Sequence, residues 1–450
     1  MVENKGRLSV REKVGYSLGD VASSLYFNMF MLFLLYFYTD IFGISAAAAG
    51  TMIGITRLWE SFSDPIIGMI SDRTSTRWGK YRPYILWTAV PFAFIGILTF
   101  STPDLPVNQK IIYAYITYSL LNLTYSIINV PYTSLMGVLT PNSLERTEVS
   151  SYKFFGAAIG GVIVQYSTLH LVTYFGNGNE AKGFQLTAIA FSIFVTIMFL
   201  LCFFSTKERV KPQMDKQSSI KEDLKDLIQN RPWWVLLVIG LFSLTWISIK
   251  LGSTVFYFKY YVGHTELAAT FMVMGTIFNA AGLLLTKRLS KIFGKKKLFI
   301  YAMIGNAIFM AAMVIPHPDQ IGMMFTFQIL SSFISGPAMP ILWAMYADTA
   351  DYSEWKTNRR ATGLVFSAAM FSQKMGWSLG ATFAGILLSW FGYQANVTQT
   401  PDSIMGIRLL MSVIPGVIAL LSVFIFFFYK LDESIMRTIE VELEERKKNN

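Results

Sequence analysis

Twelve apolar stretches punctuate this chain, at 14–38, 46–71, 83–100, 111–138, 150–172, 184–204, 233–258, 267–287, 298–315, 321–346, 362–391 and 405–429. A helix needs about 20 apolar residues to cross the roughly 30 Å hydrocarbon core of a bilayer, and each stretch is of that order. Lipid cannot hydrogen-bond an open strand edge, so the stretches are expected to be helices. Composition agrees: 53% of residues are hydrophobic and 15% charged, where soluble domains carry charge on about a quarter. The expected fold class is all-α, in a protein that crosses a lipid bilayer many times.

The net charge of +10 does not mark a nucleic-acid partner, because the basic residues sit in the connections between spans. Lys5, Arg7, Arg11 and Lys13 precede the first span, Arg73, Arg77, Lys80 and Arg82 follow the second, and Arg146 follows the fourth. Seven Lys and Arg residues from Lys207 to Arg231 follow the sixth span. Lys287, Arg288, Lys291 and Lys295 to Lys297 follow the eighth, and Lys356, Arg359 and Arg360 follow the tenth. The intervening connections are nearly bare of positive charge. The positive-inside rule then puts both termini on the cytoplasmic side of the cell membrane. The single Cys202 excludes an internal disulfide, and His170, His264 and His317 lack metal-ligand spacing. No nucleophile–base set or cofactor motif is visible, so no enzyme is expected.

The connection 205–232 divides the chain into two six-span halves, 1–204 and 233–430, with a tail at 431–450. Within it, Ser219 and Glu222 have capping-box spacing, and Ile220, Leu224, Leu227 and Ile228 make one apolar stripe. That pattern predicts a short amphipathic helix at the inner surface. Ile435, Ile439 and Leu443 predict the same for the tail, with a solvated connector as the competing reading for both. The halves echo each other. "DRTSTRWGKYR" follows the second span and "KRLSKIFGKKK" the eighth, both built around Gly-Lys. The fifth and eleventh spans each place a Lys just before a Gly-x-x-x-Gly pair: Lys153 with Gly156 and Gly160, Lys374 with Gly376 and Gly380. Such glycines are read first as close helix packing. A repeated half is how many transporters are built, with the substrate site near the midplane.

The second span holds ionisable groups inside an apolar stretch. Arg57, Glu60 and Asp64 fall at i, i+3 and i+7, so a helix turns all three to one face. Charges at bilayer depth are costly unless they pair or line a wet cavity. Two carboxylates against one guanidinium leave a charge of −1, which suits a proton, or Na⁺ held by oxygen ligands. A structural Arg57–Glu60 pair is the competing reading. Further polar groups on other spans suit a polyol: Asp20, then Tyr125, Ser126 and Asn129, then Lys153 and Lys374. Lys153 lies near its helix start, where snorkelling to the surface is the alternative. Asp72, Arg73 and Arg77, with Asp348, Asp351 and Glu354 near Arg359 and Arg360, are expected to form inner-face salt bridges that latch the halves. A solvated charge run is the alternative.

"GMISDRTSTRWGKYRP" resembles the signature between the second and third helices of the major facilitator superfamily. "GYSLGD", "FYTDIFG", "RLWESFSDPIIG", "TRWGKYRPY", "YSIINVPY", "ADTADYSEW" and "TGLVFS" together resemble the glycoside–pentoside–hexuronide:cation symporters, the family of the melibiose carrier. The motifs run in order from about residue 15 to residue 410. The resemblance implies the major facilitator fold, twelve helices in two pseudo-symmetric halves, and cation-coupled sugar uptake by alternating access. It implies a site for Na⁺, Li⁺ or H⁺ at Glu60 and Asp64, with Ser63 and Ser126 as neutral members. It implies sugar contacts from Asp20, Tyr125, Lys153 and Lys374. Three positions depart from the family's pattern. Glu60 and Asn129 each stand for an aspartate, and Thr133 for a tryptophan. Asp20, Lys153 and Lys374 then sum to +1, which favours an anionic sugar such as a hexuronide.

The reading is a secondary transporter that acts as a monomer and carries a glycoside, small oligosaccharide or hexuronide with Na⁺ or H⁺. It needs no cofactor beyond the coupling cation. A lipid or lysolipid carrier and a non-transporting sugar sensor are the alternatives.

Overall fold

The computed structural model describes residues 8–140, 143–209, 228–357 and 362–449. These residues form helices and the short turns that join them, and each of the twelve predicted spans falls on helix. Two compact units emerge, Met1–Met214 with Tyr393–Val397, and Asp215–Gly392 with Thr398–Asn450. Nine helical stretches among the described residues are long and apolar enough to cross a membrane.

The first unit contains α1 (Val10–Tyr36), α2 (Ala46–Arg73), α3 (Arg82–Thr99), α4 (Val107–Leu139), α5 (Ser143–Gly176) and α6 (Glu180–Ser205). Side-chain caps start several of them. Ser9 and Glu12 close a capping box on α1, and Ser45 and Asn179 each accept a backbone N–H at the starts of α2 and α6. Buried Thr39, Thr56, Thr117 and Thr168 donate to carbonyls one turn back, so their hydroxyls need no water. The segment Tyr393–Val397 joins this unit through Tyr393, whose hydroxyl donates to Asp40 at 2.5 Å.

The second unit contains α7 (Arg231–Phe256), α8 (Leu267–Leu284), α9 (Thr286–Phe293), α10 (Lys295–Ala312), α11 (Ile321–Ser335) and α12 (Ala338–Thr357). It continues with α13 (Thr362–Trp390), α14 (Pro401–Met411), α15 (Val413–Phe426) and α16 (Glu433–Asn449). Three predicted spans are broken. The eighth turns at Leu285 into α9. The tenth breaks at Gly336–Pro337, where Pro337 has no N–H to continue the ladder. The twelfth breaks at Ser412, and Pro415 removes the N–H that would have reached Met411.

The repeat read from the sequence has structural counterparts inside each unit. α1 ends in a π-helical turn at Phe37–Ile41, and α7 ends in one at Tyr257–Val262. α5 packs along α1, and α13 packs along α7. A Cβ on Gly156 would lie 2.5 Å from the Ser17 carbonyl oxygen, and one on Gly160 2.5 Å from that of Val21. A Cβ on Gly376 would strike the Leu241 carbonyl, and one on Gly380 would lie 2.6 Å from the Thr245 carbonyl. Both Gly-x-x-x-Gly pairs therefore set a close helix crossing, as their spacing predicts. Both Gly-Lys connections also turn on a left-handed glycine, Gly79 at φ +111° and Gly294 at φ +78°, which other residues adopt only with strain.

The predicted helix at 219–228 lies outside the described residues, apart from an exposed Ile228. The predicted tail helix forms as α16. It buries Met436, Ile439 and Leu443 in the second unit's core and packs on α12, while Ile435 stays exposed. Trp355 Nε1 donates to Glu442 at 2.6 Å, and Arg446 donates to the Trp355 carbonyl at 3.0 Å. Ile439 and Leu443 of the tail's apolar stripe thus pack against protein.

Candidate functional site

α2 carries its ionisable face as the spacing predicts. Arg57, Glu60 and Ser63 are buried, and Asp64 is half-buried. Arg57 lies 5.7 Å from the centroid of the Phe27 ring on α1, a cation–π contact. Ser63 donates back to the Glu60 carbonyl at 3.0 Å, leaving its oxygen lone pairs available as acceptors. Pro65 follows directly, yet α2 continues to Arg73. On α4, Ser126 is buried and its hydroxyl has no hydrogen-bond partner among the described residues.

A second cluster gathers around Asp20 on α1. Tyr132 of α4 donates to Asp20 Oδ2 at 3.2 Å, and Lys153 Nζ of α5 stands 4.0 Å from the same oxygen. The Gly156 crossing brings Lys153 there, one turn before it on α5. Lys153 also lies 5.8 Å from the Tyr132 ring centroid. It points inward, so the snorkelling alternative does not describe it. Tyr132 stacks on Tyr16 with ring centroids 4.8 Å apart and also bonds the Tyr16 carbonyl at 2.8 Å. Gly19 makes room for the Tyr132 ring, because a Cβ there would overlap it.

Tyr125 lies on α4, one residue before Ser126 and seven before Tyr132. Its ring is held against Phe92 at 6.0 Å and Phe30 at 6.5 Å. Asn129, one turn further along α4, is half-buried. Arg57, Glu60, Ser63, Asp64, Asp20, Tyr125, Ser126, Asn129 and Lys153 thus all belong to the first unit. Lys374 is half-buried on α13 of the second unit, two residues before Gly376.

The inner-face charges resolve differently from their sequence grouping. Asp348 on α12 pairs with Lys295 at the start of α10, with both carboxylate oxygens within 2.8 Å. Lys295, the Lys of the second Gly-Lys connection, belongs to the same unit. Arg73 and Arg77 are exposed, and Arg77 stacks 4.3 Å over Trp78. Asp351 and Glu354 are half-buried on α12. The Asp72 side chain, Arg359 and Arg360 lie outside the described residues. Sequence reasoning also missed Tyr16, Tyr132 and Glu208. Glu208 accepts the N–H groups of Lys80, Tyr81 and Arg82 at 2.8, 2.8 and 3.0 Å, where α3 begins. A carboxylate there satisfies orphan donors and the positive end of the helix dipole.

The family model described as "MFS/sugar transport protein" matches residues 15–433. The chain belongs to this family. It is 35% identical to the "Inner membrane symporter YicJ" of Escherichia coli strain K12, over 98% of this chain and 96% of that one. It is 32% identical to the "Glucuronide carrier protein homolog" of the same organism, over 98% and 97%. Among solved structures, a bacterial homolog of the human lysosomal transporter Spinster superposes with a TM-score of 0.71 at 14% identity, covering 93% of this chain and 95% of that one. At that identity the likeness shows the fold alone. As a member of the family, the chain is a multi-pass membrane transporter of the major facilitator fold and not an enzyme.

Proposed function

We propose that this transporter moves a glycoside, small oligosaccharide or hexuronide together with Na⁺ or H⁺ by alternating access. The observation that carries the reading is the buried Arg57, Glu60 and Ser63 on one face of α2, in the same unit as the Asp20–Lys153 pair at 4.0 Å. A cation held by Glu60 and Asp64, with Ser63 and Ser126 as neutral oxygen donors, cancels the negative charge of α2. Asp20, Tyr125, Asn129 and Lys153 then offer a polyol one carboxylate acceptor, one ammonium donor, an amide and an aromatic face. Lys374 adds a donor from the second unit. Linkage makes the coupling reciprocal, so sugar tightens the cation as the cation tightens sugar.

Residues 1–204 and 233–430 are the two moving bodies in this account, tethered by 205–232, with 431–450 as a cytoplasmic tail. Arg57 balances the cation site, while Asp72, Arg73, Arg77, Asp348, Asp351, Glu354, Arg359 and Arg360 hold the inner face. Charge alternation supports an inner-membrane protein with both termini in the cytoplasm, working as a monomer. The likeness to an inner membrane symporter and to a glucuronide carrier protein homolog supports sugar symport over a lipid carrier or a sensor.

Asp64→Asn tests the coupling half of the proposal. It keeps the side-chain shape and removes the charge. Gradient-driven accumulation of sugar is expected to vanish, while sugar exchange down its own gradient persists. Accumulation equal to that of the unsubstituted protein would remove this carboxylate from the mechanism.

A further inference from the structure

From Thr286 to Lys297 the chain carries six cations and no carboxylate: Lys287, Arg288, Lys291 and Lys295 to Lys297. The helix α9 within this stretch is amphipathic. Lys287, Arg288 and Lys291 share one face, and Leu285, Leu289 and Ile292 share the other. Leu289 packs against the second unit's core, yet no residue of α9 is buried, and Ile292 is 65% exposed. α8 is apolar enough to cross a membrane and ends at Leu284, which is itself exposed. α9 follows directly and so falls at the membrane boundary, where an apolar stripe beside a cationic face is the pattern of an interfacial helix.

A pocket of about 120 Å³ adjoins α9, several times the roughly 30 Å³ that one water occupies in the liquid. Phe293 of α9 lines it with Lys295, Lys296 and Lys297 at the head of α10, and Leu431, Asp432 and Met436 close it where the tail helix begins. Its two acids are engaged. Asp348 takes the Lys295 ammonium on both oxygens, and Asp432 caps α16 by accepting the Ile435 N–H at 2.9 Å. Lys296 donates to a neutral group, the Tyr429 carbonyl, at 2.6 Å, and Lys297 is exposed and bonds no carboxylate among the described residues. The matching Gly-Lys connection of the first unit is filled by an anion of the chain itself, because Glu208 accepts the N–H groups of Lys80, Tyr81 and Arg82. Among the described residues no carboxylate does so for Lys296 and Lys297.

Basic pockets beside membrane helices suit anionic lipid headgroups. We propose that this face binds an anionic phospholipid of the adjoining leaflet, with its phosphate at Lys296 and Lys297 and its acyl chains along Leu284, Leu285 and Ile292. Phe293 belongs to both regions, and the cations of α9 add to the attraction. Free phosphate would use the charge and leave the apolar stripe uncovered. Leu431 and Met436 line the same pocket, so the bound lipid also braces the tail helix against the second unit.

The test uses the full-length protein in a neutral detergent. It is titrated with short-chain phosphatidylglycerol, with phosphatidylcholine of the same chain length, and with inorganic phosphate, and thermal unfolding is followed in each. Phosphatidylglycerol is expected to raise Tm at concentrations where the other two do not. Lys287→Gln, Arg288→Gln and Lys291→Gln alter only exposed side chains, so the triple variant should unfold like the unsubstituted protein without lipid. Each cation near an anionic surface contributes about fivefold in affinity, so the triple variant should bind phosphatidylglycerol roughly a hundredfold more weakly. Ile292→Ser should weaken it severalfold by removing acyl contact. Lys182→Gln, at an exposed lysine of α6, is the control and should change nothing. The inference is overturned if phosphatidylcholine or phosphate raises Tm as much as phosphatidylglycerol. It is equally overturned if the triple variant or Ile292→Ser binds phosphatidylglycerol as the unsubstituted protein does, or if Lys182→Gln weakens it as much as they do.

Discussion

The hydroxyl of Tyr132 donates to the carboxylate of Asp20 at 3.2 Å and ties α4 to α1 at the centre of the Asp20 cluster. The one proton of this hydroxyl is shared with the Tyr16 carbonyl at 2.8 Å, so Tyr132 bridges the carboxylate and the backbone beside it. Tyr132→Phe keeps the stacked ring and deletes only these bonds. A hydrogen bond to a charged group contributes about 1.5–3 kcal/mol, so sugar affinity should fall roughly tenfold to a hundredfold. Titration of sugar binding, with cation binding measured alongside, checks this. Equal losses for sugar and cation would place Tyr132 in general stability instead.

The Gly-x-x-x-Gly crossings predict a matched pair of stability losses. Gly156→Val would drive a side chain into Ser17, and Gly376→Val into Leu241. Overpacking of this kind costs about 1–3 kcal/mol, and each variant should unfold earlier in detergent. Gly137→Ala is the control. Nothing lies within 4 Å of its Cβ position on α4, so the substitution should be neutral or stabilising by about 0.5–1 kcal/mol.

Glu208 predicts a helix-start defect. Glu208→Gln keeps the shape but loses the charge that meets three N–H groups at the head of α3. A loss of about 1.5–3 kcal/mol is expected from the charge-assisted bonds. Gly79→Ala should cost stability too, because a Cβ there would overlap the Glu208 carboxylate and the residue sits at φ +111°. Unfolding of the two single variants and the double variant measures their coupling.

Two ion pairs should behave differently. Lys13 and Glu145 are both buried, 3.1 Å apart, and Glu145 also accepts the Leu8 N–H at 3.1 Å. Glu145→Gln removes one charge of a buried pair and should cost about 3–5 kcal/mol. Lys295 is 39% exposed in its pair with Asp348, so water already screens it. Asp348→Asn should cost under about 1 kcal/mol. Denaturation of both variants in one detergent gives the comparison.

The sequence carried the helices and the charged face of α2 plainly, because hydropathy and the i, i+3, i+7 spacing are local signals. The close crossings were equally local, since glycines four apart mark them. Helix breaks were not legible in hydropathy. Gly336–Pro337 offered a visible cue, whereas Ser412 took its turn from Pro415 three residues on. Asp20 and Lys153 were each legible as polar groups inside spans, but their pairing was not, because no spacing links residues on α1 and α5. Tyr132 sat inside a quoted motif, yet a tyrosine in an apolar helix reads as ordinary core until its hydroxyl partner is known.

Uptake by membrane vesicles of a panel of neutral glycosides and uronides, under an imposed Na⁺ or pH gradient, tests the central claim most directly. The account predicts that at least one sugar accumulates above its outside concentration, that the accumulation collapses when the gradient is dissipated, and that Asp64→Asn abolishes it. Vesicles with correctly inserted protein that concentrate no sugar under either gradient would contradict cation-coupled sugar symport.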